Sequence, residues 1–384
     1  MQPASRRIAP AWQAARRILC VRLDSLGDVL MTTPAIRAIK ESLPGSQITL
    51  LTSPAGAEPA QYIPEIDRVL IYEAPWLKAS PERANSQYDR SMLSKIRGQF
   101  DAAVIFTVYS QNPLPAALFC YLADIPLRLA HCRENPYHLL THWVNEIEPE
   151  QVIRHEVRRQ LDLVATAGFT VTDERLRFCV PGEARTGMAN KLLEAGLDPA
   201  QPWIAVHPGV TAPSRQYPPK RFALAARRLA LEDGLQIVFT GLPTEAALVE
   251  HIRGQMGAPS ISFAGQLTLA EFAALLEQAP LLLSNNTGPV HLAAAVGTPV
   301  VVLYALTNPQ HTPWSIPNQI LFHDVPCKYC YKSTCPMGHH NCLEKVSPDQ
   351  VVQAVRALIA LPAARIPPPS AQIACSPAIP LQMD

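Results

Sequence analysis

No stretch of this chain of 384 residues reaches the ~18 consecutive apolar residues that a membrane-spanning helix needs. The longest apolar runs, such as Val300–Leu306, are of strand length. Met1–Arg17 is rich in Ala and Arg and lacks the apolar centre of a secretory signal. Neither sign of charge is in excess: 33 basic and 32 acidic residues leave a net +1, so no global positive field argues for nucleic acid as a partner. Nine cysteines are present, four of them between Cys327 and Cys342 and the rest scattered. Scattered cysteines in a chain without a signal point to a reducing, cytoplasmic compartment and free thiols. With 48% hydrophobic and 17% charged residues, the length suits two domains, each able to bury a full core.

Short apolar runs alternate with helical spacing from the start. Ile18–Arg22, Gln47–Thr52, Arg68–Tyr72 and Asp101–Thr107 read as strands. Val29–Leu43, Pro115–Ala123 and Ile153–Ala167 read as helices. The pattern loosens near Pro181 and restarts at Trp203–His207. Strands then follow at Leu235–Thr240, Ile261–Ala264, Leu281–Ser284 and Pro299–Tyr304, with helices at Lys220–Glu232, Thr268–Gln278, His291–Val296 and Val346–Leu361. Such alternation implies right-handed βαβ units and parallel sheets. The expected class is α/β: a flexible segment 1–17, a Rossmann-like domain 18–180, a second Rossmann-like domain 181–361, and a disordered Pro-rich tail 362–384. In open α/β sheets ligands sit beyond the carboxyl ends of the strands, and two such domains facing each other would make a deep cleft.

Four strand-end loops carry chemistry. Arg22-Leu23-Asp24-Ser25-Leu26-Gly27-Asp28 closes the first strand without the G-x-G-x-x-G of a dinucleotide site. Gly27 permits backbone shapes that other residues resist. Asp28 reads either as a general base for an acceptor hydroxyl or as the acid of a capping box with Ser25. The polar loop Pro208–Lys220, with Thr211, Ser214 and Arg215, suits a diphosphate or is a solvated connection. In Ser284–Ala295, Thr287 and Gly288 offer amides at a helix start, where the dipole attracts phosphate; His291 in that first turn faces ligand or packs inside. Glu245 accepts from ribose hydroxyls or is a first-turn acid.

Taken in order, these loops resemble glycosyltransferase family 9, the family of the ADP-heptose lipopolysaccharide heptosyltransferases. The matching stretches are VRLDSLGDVLMTTPAIRAIK (21–40), HPG (207–209) with RQYPPKRFALAARRL (215–229), FTGLPTE (239–245) and NNTGPVHLAAAVGTPVVVLY (285–304). The resemblance implies an inverting transferase of GT-B architecture that needs no cofactor for hexosyl or heptosyl transfer. Its N-terminal domain would meet a glycan or glycolipid acceptor, here through Arg22, Ser25 and Gly27, with Asp28 on the family's proposed base. Its C-terminal domain would hold the nucleotide sugar through Thr211, Ser214, Arg215, Glu245, Asn286, Thr287, Gly288 and His291. Two positions depart from the pattern: Asn286 replaces an acid, and Ala305-Leu306-Thr307-Asn308-Pro309 stands where the family reads G-P-T-D-P. Rival readings are a nucleotide-sugar epimerase or hydrolase on this scaffold, or an inactive nucleotide-sugar-binding protein. A lipid acceptor would bring the chain to the inner face of the inner membrane, where arginines of the first segment could meet anionic lipid.

Cys327, Cys330, Cys335 and Cys342 form a C-x2-C-x4-C-x6-C run with His339 and His340 inside it. Four thiolates would satisfy a structural zinc; disulfides and plain thiols are the alternatives.

Overall fold

Apolar runs of four to six residues belong to strands buried on both faces, the signature of parallel sheets under helices. A computed structural model, describing residues 8–77 and 80–360, contains two such sheets. The chain divides into two compact units between Arg177 and Phe178. The first holds β1 (Arg17–Arg22), β2 (Gln47–Thr52), β3 (Arg68–Ile71), β4 (Ala102–Ile105), β5 (Leu127–Cys132) and β6 (His142–Asn145). They lie in the order β3-β2-β1-β4-β5-β6, all parallel. β1 is central: Ile18 opposes Ile48 on one side and Ala102 on the other.

The second unit holds β7 (Trp203–His207), β8 (Gln236–Phe239), β9 (Ile261–Ser262), β10 (Leu282–Asn285), β11 (Val300–Leu303) and β12 (Asn318–Leu321). Their order is β12-β11-β10-β7-β8-β9, again all parallel. Counted within each unit, both sheets run 3-2-1-4-5-6, the doubly wound Rossmann order. In that order the winding reverses between strands one and four, and the crevice beyond their carboxyl ends is where ligands bind. Those strands are β1 and β4 in the first unit and β7 and β10 in the second.

Three strands escaped the sequence reading. β5 carries Arg128 and His131 among its apolar residues. Both are buried, made tolerable because Arg128 donates to the carbonyls of Leu139 and His138 and His131 bonds the carbonyl of Arg159. β6 and β12 are sheet edges. With no fully buried residue, they show no apolar run. The helix expected from Val29 begins at Leu26, because Ser25 and Asp28 close its first turn.

The expectation of a loose segment 1–17 is corrected for residues 8–17. Pro10–Gln13 is a helical turn, Trp12 is fully buried with its ring edge-on to Phe169 at 5.7 Å, and the Ala9 amide donates to Ala167 O at 3.0 Å. A Trp of this size supplies more burial than a disordered arm can forgo. The tail expected at 362–384 lies outside the described residues, as do residues 1–7. Among the described residues no helix is long and apolar enough to cross a membrane.

Candidate functional site

In the first unit the carboxyl end of β1 delivers Arg22 into the switch point. Its side chain is 0% exposed and is met by three carboxylates. Nε lies 3.1 Å from Asp24 Oδ2, one terminal nitrogen donates to Asp28 Oδ1 at 3.1 Å, and the other donates to Glu156 Oε1 at 2.9 Å. Burial works against the guanidinium's charge, but the three carboxylates outweigh it and raise its pKa. Asp28 closes the capping box: the Ser25 amide donates to Oδ2 at 3.2 Å and the Ser25 hydroxyl at 2.8 Å. The capping reading of Asp28 matches this geometry. Asp28 caps the helix Leu26–Ser42, and its side chain keeps 18% of its surface open. Gly27 takes ordinary helical backbone in that first turn and is buried; the conformational freedom expected there is not used.

Two acids that composition does not single out complete the cluster. Asp24, with a 16% exposed side chain, also accepts from Gln111 Nε2 at 2.6 Å. Its pKa is pushed up to about 6, first by burial, which Arg22 opposes and Asp28 reinforces. Glu156, fully buried on the helix Glu156–Ala165, also accepts from Gln160 Nε2 at 2.6 Å. One guanidinium does not balance three ionised carboxylates, so the set favours taking up protons and accepting hydrogen bonds from hydroxyl donors. Glu156 lies far from Arg22 in sequence, and no local signal marks it.

In the second unit β7 and β10 end side by side, and Asn285 joins their loops. Its Nδ2 donates to Pro208 O at 2.8 Å, and its Oδ1 accepts from the Tyr217 amide at 3.1 Å. One buried amide thus pins both ends of the 208–217 loop, a role the sequence reading missed. Arg215 sits in the short turn Pro213–Arg215 within that loop, half-buried, and Thr211 is exposed. Thr287 is the extended N-cap of the helix Gly288–Val296. Asn286 is buried, and its Oδ1 accepts from the Ala305 amide at 3.2 Å. His291 is buried, its ring edge-on to His311 at 6.3 Å.

Glu245 belongs to the same face. Its Oε2 accepts from the Leu242 amide at 2.8 Å and lies 3.5 Å from His207 Nε2. Burial raises the Glu245 carboxyl and lowers His207 to about 4, so His207 is neutral at neutral pH. His207 Nδ1 lies 3.0 Å from Thr240 Oγ1. A Cβ on Gly209 would fall 2.0 Å from the Glu245 carboxyl carbon, so any side chain there would displace that carboxyl.

The cysteine-rich segment props these loops. The Ser214 hydroxyl donates to Lys332 O at 2.7 Å, and its amide donates to Ser333 O at 3.0 Å. The Tyr329 and Tyr331 amides donate to Leu306 O and Thr307 O. Cys327, Cys330, Cys335 and Cys342 are free thiols, whereas Cys179 is disulfide-bonded, against the expectation of free thiols throughout. Cys327 Sγ lies 3.9 Å from His339 Nε2. Burial raises the Cys342 thiol, with smaller contributions from the other three cysteines. Among the described residues no three His, Cys, Asp or Glu side chains gather as a metal-holding set. The structural zinc expected from the spacing is therefore not shown, although the other three thiols lie near enough to Cys342 to raise it.

Three comparisons bear on this arrangement. The sequence profile described as "Glycosyltransferase family 9 (heptosyltransferase)" matches residues 90–341. The chain is 24% identical over 364 residues to the lipooligosaccharide heptosyltransferase 2 of Haemophilus ducreyi, covering 90% of this chain and 99% of that one. It is 26% identical over 324 residues to the lipopolysaccharide heptosyltransferase 1 of Pseudomonas aeruginosa, covering 83% and 87%. A solved family 9 glycosyl transferase from Veillonella parvula shares the fold with a TM-score of 0.74 at 22% identity, over 90% of this chain and 97% of that one.

Proposed function

The chain belongs to glycosyltransferase family 9 and is a glycosyltransferase, and we propose that it moves heptose from ADP-heptose onto a hydroxyl of a lipopolysaccharide-core or related glycan. The names of its relatives support heptose as the sugar moved and a lipopolysaccharide-type acceptor. The observation that carries the reading is the placement of Asp28. It is a partly open carboxylate at the carboxyl end of the central strand of the first unit, where a doubly wound sheet binds ligand.

In the proposed step the acceptor hydroxyl gives its proton to Asp28 as its oxygen attacks the anomeric carbon. The bond from that carbon to the diphosphate breaks, and the configuration inverts. Arg215 and the helix start at Thr287–Gly288 take up the charge growing on the departing diphosphate. Ser214 and Thr211 shape the loop around it, Asn286 and His291 border the donor sugar, and Glu245 meets the ribose. Arg22 and Ser25 hold Asp28 in place. The chain's own residues suffice for this step, and no cofactor takes part. A lipid-borne acceptor would bring the enzyme to the cytoplasmic face of the inner membrane as a peripheral protein.

The test is ADP release from ADP-heptose with and without a core oligosaccharide. Release is expected to depend on acceptor. Asp28→Asn should lower turnover by roughly 10²–10⁴-fold with donor binding retained. Wild-type turnover in that variant removes Asp28 as base. Release that ignores acceptor replaces transfer with hydrolysis.

A further inference from the structure

A cavity of ≈ 370 Å³ opens at the switch point of the first unit, between the carboxyl ends of β1 and β4. It falls within the roughly 300–1,000 Å³ of small-ligand sites. Asp24, Thr107, Ser110, Gln111 and Asn112 supply its polar lining, and Trp76 is among its apolar lining. Among the described residues that line it, Asp24 is the one that ionises near neutral pH.

The walls are built rather than incidental. Trp76 is wedged edge-on against Tyr72 at 5.7 Å and tilted on Phe119 at 6.0 Å, so its ring cannot swing away freely. Gln111 is fixed by donating to Asp24 and by accepting from the Val108 amide at 3.2 Å. The Thr107 carbonyl accepts from Gln160 at 3.0 Å and from Arg159. Thr107 Oγ1 is buried with no hydrogen-bond partner among the described residues. Gln160 in turn bonds Glu156, the buried partner of Arg22. The charges facing Asp24 are thus Arg22 behind it, with Asp28 and Glu156 sharing that guanidinium.

The chemistry of this set is selective. A carboxylate takes hydrogen bonds and cannot give them, so Asp24 suits hydroxyl donors. An incoming carboxylate or phosphate would meet the Asp24 carboxylate, and Arg22 behind it is already surrounded by acids. A held indole offers a flat apolar surface to the C–H face of a pyranose. Resting on the proposed transfer reaction, we propose that this cavity binds the acceptor's reacting sugar as an uncharged, hydroxyl-rich ring, held by Asp24 and Gln111 against Trp76. An acidic sugar is refused there.

The experiment uses the full chain and two readouts. Saturation-transfer NMR is run with a methyl heptopyranoside and with the methyl glycoside of a carboxylate-bearing ulosonic acid, without donor. In parallel, acceptor and donor KM are measured by ADP release from ADP-heptose, using oligosaccharides that differ in the terminal ring alone. The neutral glycoside is expected to bind, with at least tenfold preference in kcat/KM for the neutral terminus. Asp24→Asn and Trp76→Ala should each raise acceptor KM about tenfold and leave donor KM unmoved. In the wild type, acceptor KM should climb as pH falls through about 6, where Asp24 gains its proton, and Asp24→Asn should flatten that profile. Equal or better use of the acidic terminus, or loss of neither binding nor KM in the two variants, overturns the proposal. If no acceptor supports ADP release although neutral glycoside still binds and Trp76→Ala abolishes that binding, the cavity stands and the transfer reading falls. Circular dichroism melting confirms that each variant is folded before it is scored.

Discussion

At the end of β1 a buried guanidinium is shared by Asp24, Asp28 and Glu156. At the equivalent place in the second unit, the end of β7 carries a neutral histidine, a glycine and a half-buried carboxyl. Two sheets of identical strand order thus present opposite chemistry at the same point. In the proposed reaction, a partner that must lose a proton would meet a surplus of acids. A partner that arrives with phosphate charge would meet amides, a guanidinium and a helix start. The strand order decides where a ligand sits, and the residues just past the strand ends decide which ligand it is.

The largest effect expected from disturbing this contrast is in the first unit. Arg22→Met leaves three carboxylates without their cation and should cost about 3–5 kcal/mol of stability, read from urea unfolding. A loss under 1 kcal/mol would mean that the acids are protonated in the native state, and that the charge contrast between the units is not real.

Acidification comes next. Burial lowers His131 in the first unit and His207 in the second to about 4, from an unfolded value of 6.5. A depressed base contributes stability above its unfolded pKa and loses it as pH falls, here between about 6.5 and 4. Each should cost on the order of 3 kcal/mol over that window. Asp24 runs the other way: raised to about 6 from 3.8, it favours the folded state below 3.8 and loses that contribution as pH rises through 6. Amide exchange of β5 and β7, measured at pH 7 and 4.5, separates the two units. His207→Gln should flatten the response of β7 alone. An unchanged acid response in that variant would remove His207 as its source.

Smaller effects sharpen the second unit. Asn285→Ala leaves the Tyr217 amide without its bond and takes one of two from the Pro208 carbonyl, which keeps Gln216 Nε2, and should cost about 1–3 kcal/mol, with donor KM raised as the loop loosens. Unchanged thermal stability and donor KM would show that the loop is held by other contacts. Ser214→Ala cuts one tie to the cysteine-rich segment and should cost about 1 kcal/mol. A shift in acceptor KM there, rather than donor KM, would place the loop on the wrong substrate.

The sequence alone was sufficient for the fold class, the two-unit organisation and most of the central strands, because strands covered on both faces must be apolar throughout and nothing else on the chain looks like them. It also marked Asp28, Arg215, Glu245 and the Thr287–Gly288 turn as candidates, since these directly follow strands or open helices. Edge strands β6 and β12, and β5 with its buried Arg128 and His131, were not legible: their stability comes from partners outside the segment. The same holds for Glu156 at Arg22, Gln111 at Asp24 and Asn285 between two loops. Those pairings join residues from distant stretches, and no local pattern records a neighbour that only folding supplies. Tertiary structure alone decided that the first unit gathers acid around one guanidinium, because the desolvation that makes such a cluster consequential exists only once the chain has closed over it.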